Sequence, residues 1–185
     1  MAKWFMPSPR GELRPVPWLA PGVITYLEGI IQPDWEIIEH GSGGSTLWFA
    51  ERVKHVTAFE DDPDWMAIVG ERAPDNVLVS GMPRGAVLGL NKKDLLLIDG
   101  EPVKERAWWV EYAPEMVKPG GWIVLDNANR PEYKAERERL GEIAELVDRF
   151  DSNEGGTQYL VTEFYRLPAA QEEPKKKGGK RASRK

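Results

Sequence analysis

The sequence predicts an α/β fold: a doubly wound, mostly parallel seven-stranded sheet, helices on both faces, closed by a C-terminal antiparallel hairpin. Three observations carry that expectation. Strand and helix patterns alternate through five units, the order that winds a parallel sheet. Asp94-Leu95-Leu96-Leu97-Ile98-Asp99 and Trp122-Ile123-Val124-Leu125-Asp126 are apolar at successive positions, as strands covered on both faces must be. Glu39-His40-Gly41-Ser42-Gly43-Gly44 packs three glycines into four positions between an apolar strand and a helical pattern.

Taken in order, residues 1–18 are rich in proline, with Trp4, Phe5 and Trp18 available to pack onto the body. Pro21 opens a helix over 22–31, where Val23, Tyr26, Leu27 and Ile30 fall at helical spacing. Pro33-Asp34-Trp35 breaks it, and the first strand is expected at 36–39. The glycine turn leads into a helix over 46–53, and His55 to Glu60 reads as the second strand. Pro63 starts a helix that runs to about Arg72. A short third strand is expected at 76–79, and 81–91 as a loop. The fourth strand, 94–99, precedes a helix over 101–117 that Pro119-Gly120-Gly121 is expected to stop. The fifth strand ends at Asp126, and Pro131 starts a charged helix to about Ile143. Two short strand patterns, 146–150 and 158–167, flank the turn Asp151-Ser152-Asn153-Glu154-Gly155-Gly156 and read as a hairpin.

At 185 residues the chain has room for one well-buried α/β domain. The expected organisation is an arm over 1–20 that covers the pocket, a domain over 21–168 and a disordered basic tail over 169–185. There is no cysteine, which excludes disulfides and thiolate metal sites. No signal-peptide pattern opens the sequence and no run approaches ~20 apolar residues, so a soluble, cytoplasmic protein without membrane partners is expected. The net charge of −5 hides an asymmetry. Residues 175–185 carry seven Lys or Arg and no acid, so the rest of the chain carries −12. An acidic body argues against a nucleic-acid face on the fold, leaving the tail as a solvated appendage or as a tether to a polyanion.

These residues, in this order, resemble the class I (Rossmann-like) S-adenosylmethionine-dependent methyltransferases over about 17–167. The resemblance rests on Glu39-His40-Gly41-Ser42-Gly43 after the first strand and on Glu60 at the end of the second. It rests also on Asp99 at the end of the fourth, on Pro119-Gly120-Gly121 before the fifth, and on the closing hairpin. It implies S-adenosyl-L-methionine as cofactor, held by Glu39, Gly41, Ser42, Gly43, Gly44, Glu60, Asp61 and Asp99, with Glu60 on the two ribose hydroxyls. Trp65 could lie against adenine or belong to the core. Two features depart from the family pattern. Ser45 stands where a third glycine is usual, and Ser80-Gly81-Met82 lacks the acid that often meets the adenine amino group.

Methyl transfer needs an aligned, desolvated and often deprotonated acceptor. Asp99, Glu101 and Lys104 lie at or just past the end of the fourth strand and are the candidate catalytic groups, the lysine only if burial lowers its pKa. Asp99, Asp126 and Asn127 also look like the Mg²⁺ site of catechol-type O-methyltransferases, where oxygen ligands would orient a substrate hydroxyl. The alternative is that Asp126 and Asn127 cap the following turn. Arg130 to Tyr133 either lines the acceptor pocket or is a plain helix start. His40 and His55, the two histidines, are expected to be packed and remote respectively. The base-methylating Asp/Asn-Pro-Pro-aromatic motif is absent, since Asp99 is followed by Gly100-Glu101-Pro102. The expected reaction is therefore methylation of a hydroxyl on a small molecule or sugar. Alternatives are a nitrogen or macromolecular acceptor reached through the tail, a cofactor-binding module without turnover, and an NAD-dependent oxidoreductase. Ser45 at the third glycine position and the closing hairpin speak against the last.

Overall fold

A computed structural model describes residues 13–20, 22–81, 84–101, 103–151 and 160–170. Helix α1 (Val23–Ile30) precedes strand β1 (Glu36–His40), α2 (Gly44–Ala50), β2 (His55–Phe59), α3 (Pro63–Gly70) and β3 (Val77–Ser80). Then come α4 (Arg84–Leu88), β4 (Lys93–Ile98), α5 (Val103–Glu111), α6 (Ala113–Met116) and β5 (Val117–Leu125). A 3-10 turn (Pro131–Tyr133), α7 (Lys134–Ile143), β6 (Glu145–Asp151) and β7 (Val161–Arg166) complete it. The strands form one seven-stranded sheet in the order β3-β2-β1-β4-β5-β7-β6. All pairings from β3 to β5 are parallel, and β7 runs antiparallel to both its neighbours, β5 and β6. The expected fold class holds.

Strand periodicity explains why the sheet is covered twice. Leu95 and Leu97 face one core with Ile37, Val56, Trp122 and Val124, against α1 and α2. Leu96 and Ile98 face the other with Ile38, Ile123 and Leu125, against α5, α6 and α7. A sequence apolar at every position satisfies both faces of a pleated strand. Each such fully buried aliphatic side chain contributes about 1.5–3 kcal/mol.

Three local expectations are corrected. The loop over 81–91 contains α4, anchored by buried Val87. The helix expected over 101–117 breaks at Tyr112, because Pro114 has no N–H to continue the ladder. Pro119-Gly120-Gly121 does not stop a helix; it lies inside β5, where the register with β4 slips between Val117 and Trp122. The turn between β6 and β7 lies outside the described residues, as do most of the arm and the tail. Among the described residues no helix is long and apolar enough to cross a membrane.

Candidate active site

The strand order reverses between β1 and β4, so the loops that leave their carboxyl ends diverge and open a crevice. Every residue singled out for chemistry except His55 lies at that end. Gly41, with φ +97°, turns the chain off β1, and its N–H bonds Phe59 O at 2.7 Å. A Cβ on Gly41 would stand 3.1 Å from Gly100 of the β4 loop, so the two loops meet backbone to backbone. Gly44 meets something else. Its missing Cβ would stand 2.3 Å from Val16 O and 2.6 Å from Arg14 O, so the N-terminal arm crosses the glycine loop there.

Glu39 is buried at the end of β1 with both carboxylate oxygens engaged, one by the Ser45 hydroxyl and the other by Thr46 Oγ1 at 2.6 Å. The Thr46 hydroxyl also accepts the Gly43 N–H at 2.9 Å. Glu39 therefore braces the loop from behind, and Ser45, the departure from the glycine pattern, is one of its two braces. Burial pushes the Glu39 carboxyl up to about 8, against the opposing pull of the two hydroxyls. Glu60, at the tip of β2, accepts from Ser42 N–H at 2.9 Å, Ser42 Oγ at 3.0 Å and Asp62 N–H at 3.1 Å. Burial raises its pKa while those donors hold it back. The Trp65 indole N–H bonds Ser42 O at 2.8 Å, which fastens α3 to the loop. A carboxylate beside an open-backed glycine loop at a sheet crevice fits a nucleoside sugar. Asp61 is exposed and feels the charges of Glu105, Lys104 and Arg84.

On the β4–β5 side, Asp99 and Asp126 share a hydrogen bond. Asp126 is 1% exposed, and its Oδ1 accepts from Thr162 Oγ1 at 2.6 Å. The Asp99 side chain keeps 30% of its surface exposed, 3.7 Å from Arg106. Burial raises both carboxyls above the ordinary range, and at Asp126 the Asp99 charge adds to the rise. Such a pair titrates as a unit that retains a proton well above the usual carboxylate range. Asn127 follows in the left-handed region, φ 54°, and is buried. Glu101 is exposed and accepts from Arg130 at 3.0 Å and Tyr133 OH at 3.3 Å, so it belongs to the rim with both residues of the 130–133 segment. Lys104 is exposed, without the burial that a lysine base requires.

Nothing here supports Mg²⁺ at Asp99, Asp126 and Asn127. Asp126 is committed to Thr162 and Asp99, and Arg106 already offsets the pair's charge. Among the described residues no three His, Cys, Asp or Glu side chains cluster to hold a metal ion.

Two residues escaped the sequence reading. Arg106, fully buried, donates to Gly100 O at 2.9 Å, Asp99 O at 2.7 Å and Asp126 O at 2.6 Å, and lies 4.2 Å over the Tyr133 ring. It ties together the two strand ends that carry the acid pair. Its signal was an arginine on the same helical stripe as Val103, Val110 and Ala113. Thr162, in a strand read only as part of a hairpin, carried no signal. His40 is packed as expected, stacked on Trp109 with centroids 5.2 Å apart. Its ring nitrogens have no partner among the described residues, and burial lowers its pKa to about 3.

No family model and no curated protein matches the sequence. Solved structures match its fold. The N-methyltransferase NodS from Bradyrhizobium japonicum WM9 is 14% identical, with a TM-score of 0.62 over 79% of this chain and 92% of that one. The O-methyltransferase from Bacillus cereus, solved with S-adenosylhomocysteine (SAH), is 19% identical, with a TM-score of 0.65 over 80% and 82%. Fibrillarin, the pre-rRNA processing protein of Methanococcus jannaschii, is 18% identical, with a TM-score of 0.60 over 75% and 69%. At these identities the likeness carries the architecture, and that architecture is the class I, S-adenosylmethionine-dependent methyltransferase fold.

Proposed function

We propose that the protein is an S-adenosylmethionine-dependent methyltransferase acting on a hydroxyl of a small molecule. The observation that carries the reading is the pairing of Glu60 with the glycine loop across the β1–β2 tips, 2.9 Å from the Ser42 N–H. A carboxylate can take both ribose hydroxyls there, at about 1.5–3 kcal/mol per charged hydrogen bond. The glycine loop, braced by Glu39, presents backbone to the amino-acid end. When bound, the cofactor supplies a methyl group activated on a sulfonium, and SAH is left. Asp99, half-buried at the carboxyl end of β4 and backed by Asp126, takes the acceptor proton as the new bond forms. Arg106 holds the two strand ends so that the pair keeps its place. Glu101, Arg130 and Tyr133 form the acceptor rim.

The fold neighbours include both N- and O-methyltransferases, so the acceptor atom is argued from the site alone. An acid pair that keeps one proton can receive another only when one carboxylate is free. The free carboxylate can take the proton that a hydroxyl gives up as the methyl arrives, and the screen below tests it against an amine, whose proton would leave the same way.

Calorimetry with SAH and with NAD separates this reading from an oxidoreductase. SAH should bind, NAD should not, and Glu60→Ala should weaken SAH by about 10²–10⁴-fold, the loss of two charged hydrogen bonds. Unchanged affinity in Glu60→Ala overturns the assignment. A methyl-transfer screen over hydroxylated and aminated acceptors, with and without added Mg²⁺, then tests the acceptor class. Removing residues 170–185 should leave small-acceptor turnover unchanged.

A further inference from the structure

Residues 13–20 touch both halves of the crevice. At one end the Arg14 and Val16 carbonyls lie against Gly44, and Leu13 O accepts from Arg72 at 2.9 Å. At the other end Leu19 and Ala20 are buried, and the Ala20 N–H donates to Thr162 Oγ1 at 3.2 Å. Between them Trp18 is 68% exposed. A hydroxyl has a single proton, and Thr162 gives it to Asp126 Oδ1 at 2.6 Å. The relay therefore has one polarity, from the arm through Thr162 to the carboxylate. Each bond in such a chain polarises the next.

We propose that Thr162 is a positioning residue whose hydroxyl ties residues 13–20, a strap over the glycine loop, to the Asp126 carboxylate, so that strap and acid pair settle together. The groups that face the relay are Asp99 from the end of β4, Arg106 from α5 and the Asn127 N–H. With the strap seated, Thr162 presents its proton to Oδ1, beside the hydrogen bond that Asp126 shares with Asp99. With the strap lifted, the Thr162 rotor loses its N–H donor and is free to turn. The use of this link in catalysis rests on the methyltransferase reading; the link itself does not.

The test is native-state proteolysis of the full chain with chymotrypsin, following cleavage between Trp18 and Leu19 by mass spectrometry. That bond becomes available when Leu19 and Ala20 leave the body. Cleavage after buried Phe59 in the same digest reports global unfolding and corrects for it. Thr162→Val, which keeps the shape without the hydroxyl, should raise strap cleavage about tenfold, and Thr162→Ser should restore it. Asp126→Ala, at a residue with no bond to the strap, should also raise it, whereas Asp126→Asn keeps an acceptor oxygen and should not. Thr162→Val combined with Asp126→Ala should do no more than either alone. Additive effects overturn the relay, as does a Thr162→Ser variant that behaves like valine. Should Asp126→Ala fail to fold, Asp126→Asn against Asp126→Leu decides the same question. SAH calorimetry on the unmodified protein tests the functional reading separately, since no arm of the proteolysis uses SAH.

Discussion

Arg106 shows what one buried cation does when each of its three nitrogens donates to backbone. Its guanidinium satisfies carbonyls that end β4 and β5, where no further strand pairing is available. Arg106→Lys keeps the charge but loses the planar fork, leaving strand-end carbonyls unpaired. It should lower stability by about 2–4 kcal/mol, seen as a lower urea midpoint at constant slope. Glu39 makes a second residue-scale prediction. Its pKa is raised to about 8 by burial, so between about 4.5 and 8 the folded state holds a proton that the unfolded chain releases. Stability therefore falls as pH rises through that window and levels off above it. Glu39→Gln removes this slope. From pH 5 to pH 8 the variant should gain on the unmodified protein by on the order of 3 kcal/mol in denaturant melts. An equal difference at both pH values would contradict the burial of a titrating group there.

At the scale of elements, the crevice is built by loops that approach closely because side chains are missing. A Cβ on Gly100 would stand 2.8 Å from the His40 ring and 2.9 Å from Gly41 N. Gly100→Ala should therefore cost about 1–3 kcal/mol as the β1 and β4 loops are pushed apart, read from thermal melts. The same elements show where the sequence was legible. Leu95 to Ile98 and Ile123 to Leu125 announce buried strands at once, since no exposed strand would be apolar at consecutive positions. Glu39, Glu60 and Asp99 could be placed because each sits at or just past the carboxyl end of a strand, and strand ends of a parallel sheet converge on one edge. Partners set by tertiary packing could not. Nothing local tells that Glu39 faces Ser45 and Thr46 instead of a ligand, or that Thr162 meets Asp126 across β5 and β7. Pro114 was legible in principle and overlooked, because the apolar stripe from Val103 to Val117 runs straight through it.

For the whole molecule, ligand binding and folding are linked because the crevice exists only in the folded sheet. SAH at 100 times its dissociation constant should stabilise the protein by about 2.7 kcal/mol, a rise of roughly 5–10 °C in Tm for a domain of this size. NAD at equal concentration should leave Tm where it was. The topology also bears on how the chain is made. The last of the described strands to be synthesised, β7, is an interior one, wedged between β5 and β6. A nascent chain emerging from the ribosome can assemble β1 to β5 early, yet β6 has no neighbour to join until residues 161–166 arrive. Until then β5 keeps an open edge and Asp126 waits without Thr162. Translation arrested before Val161 should thus yield a product with a half-built reaction chamber and a sticky flank, prone to chaperone capture.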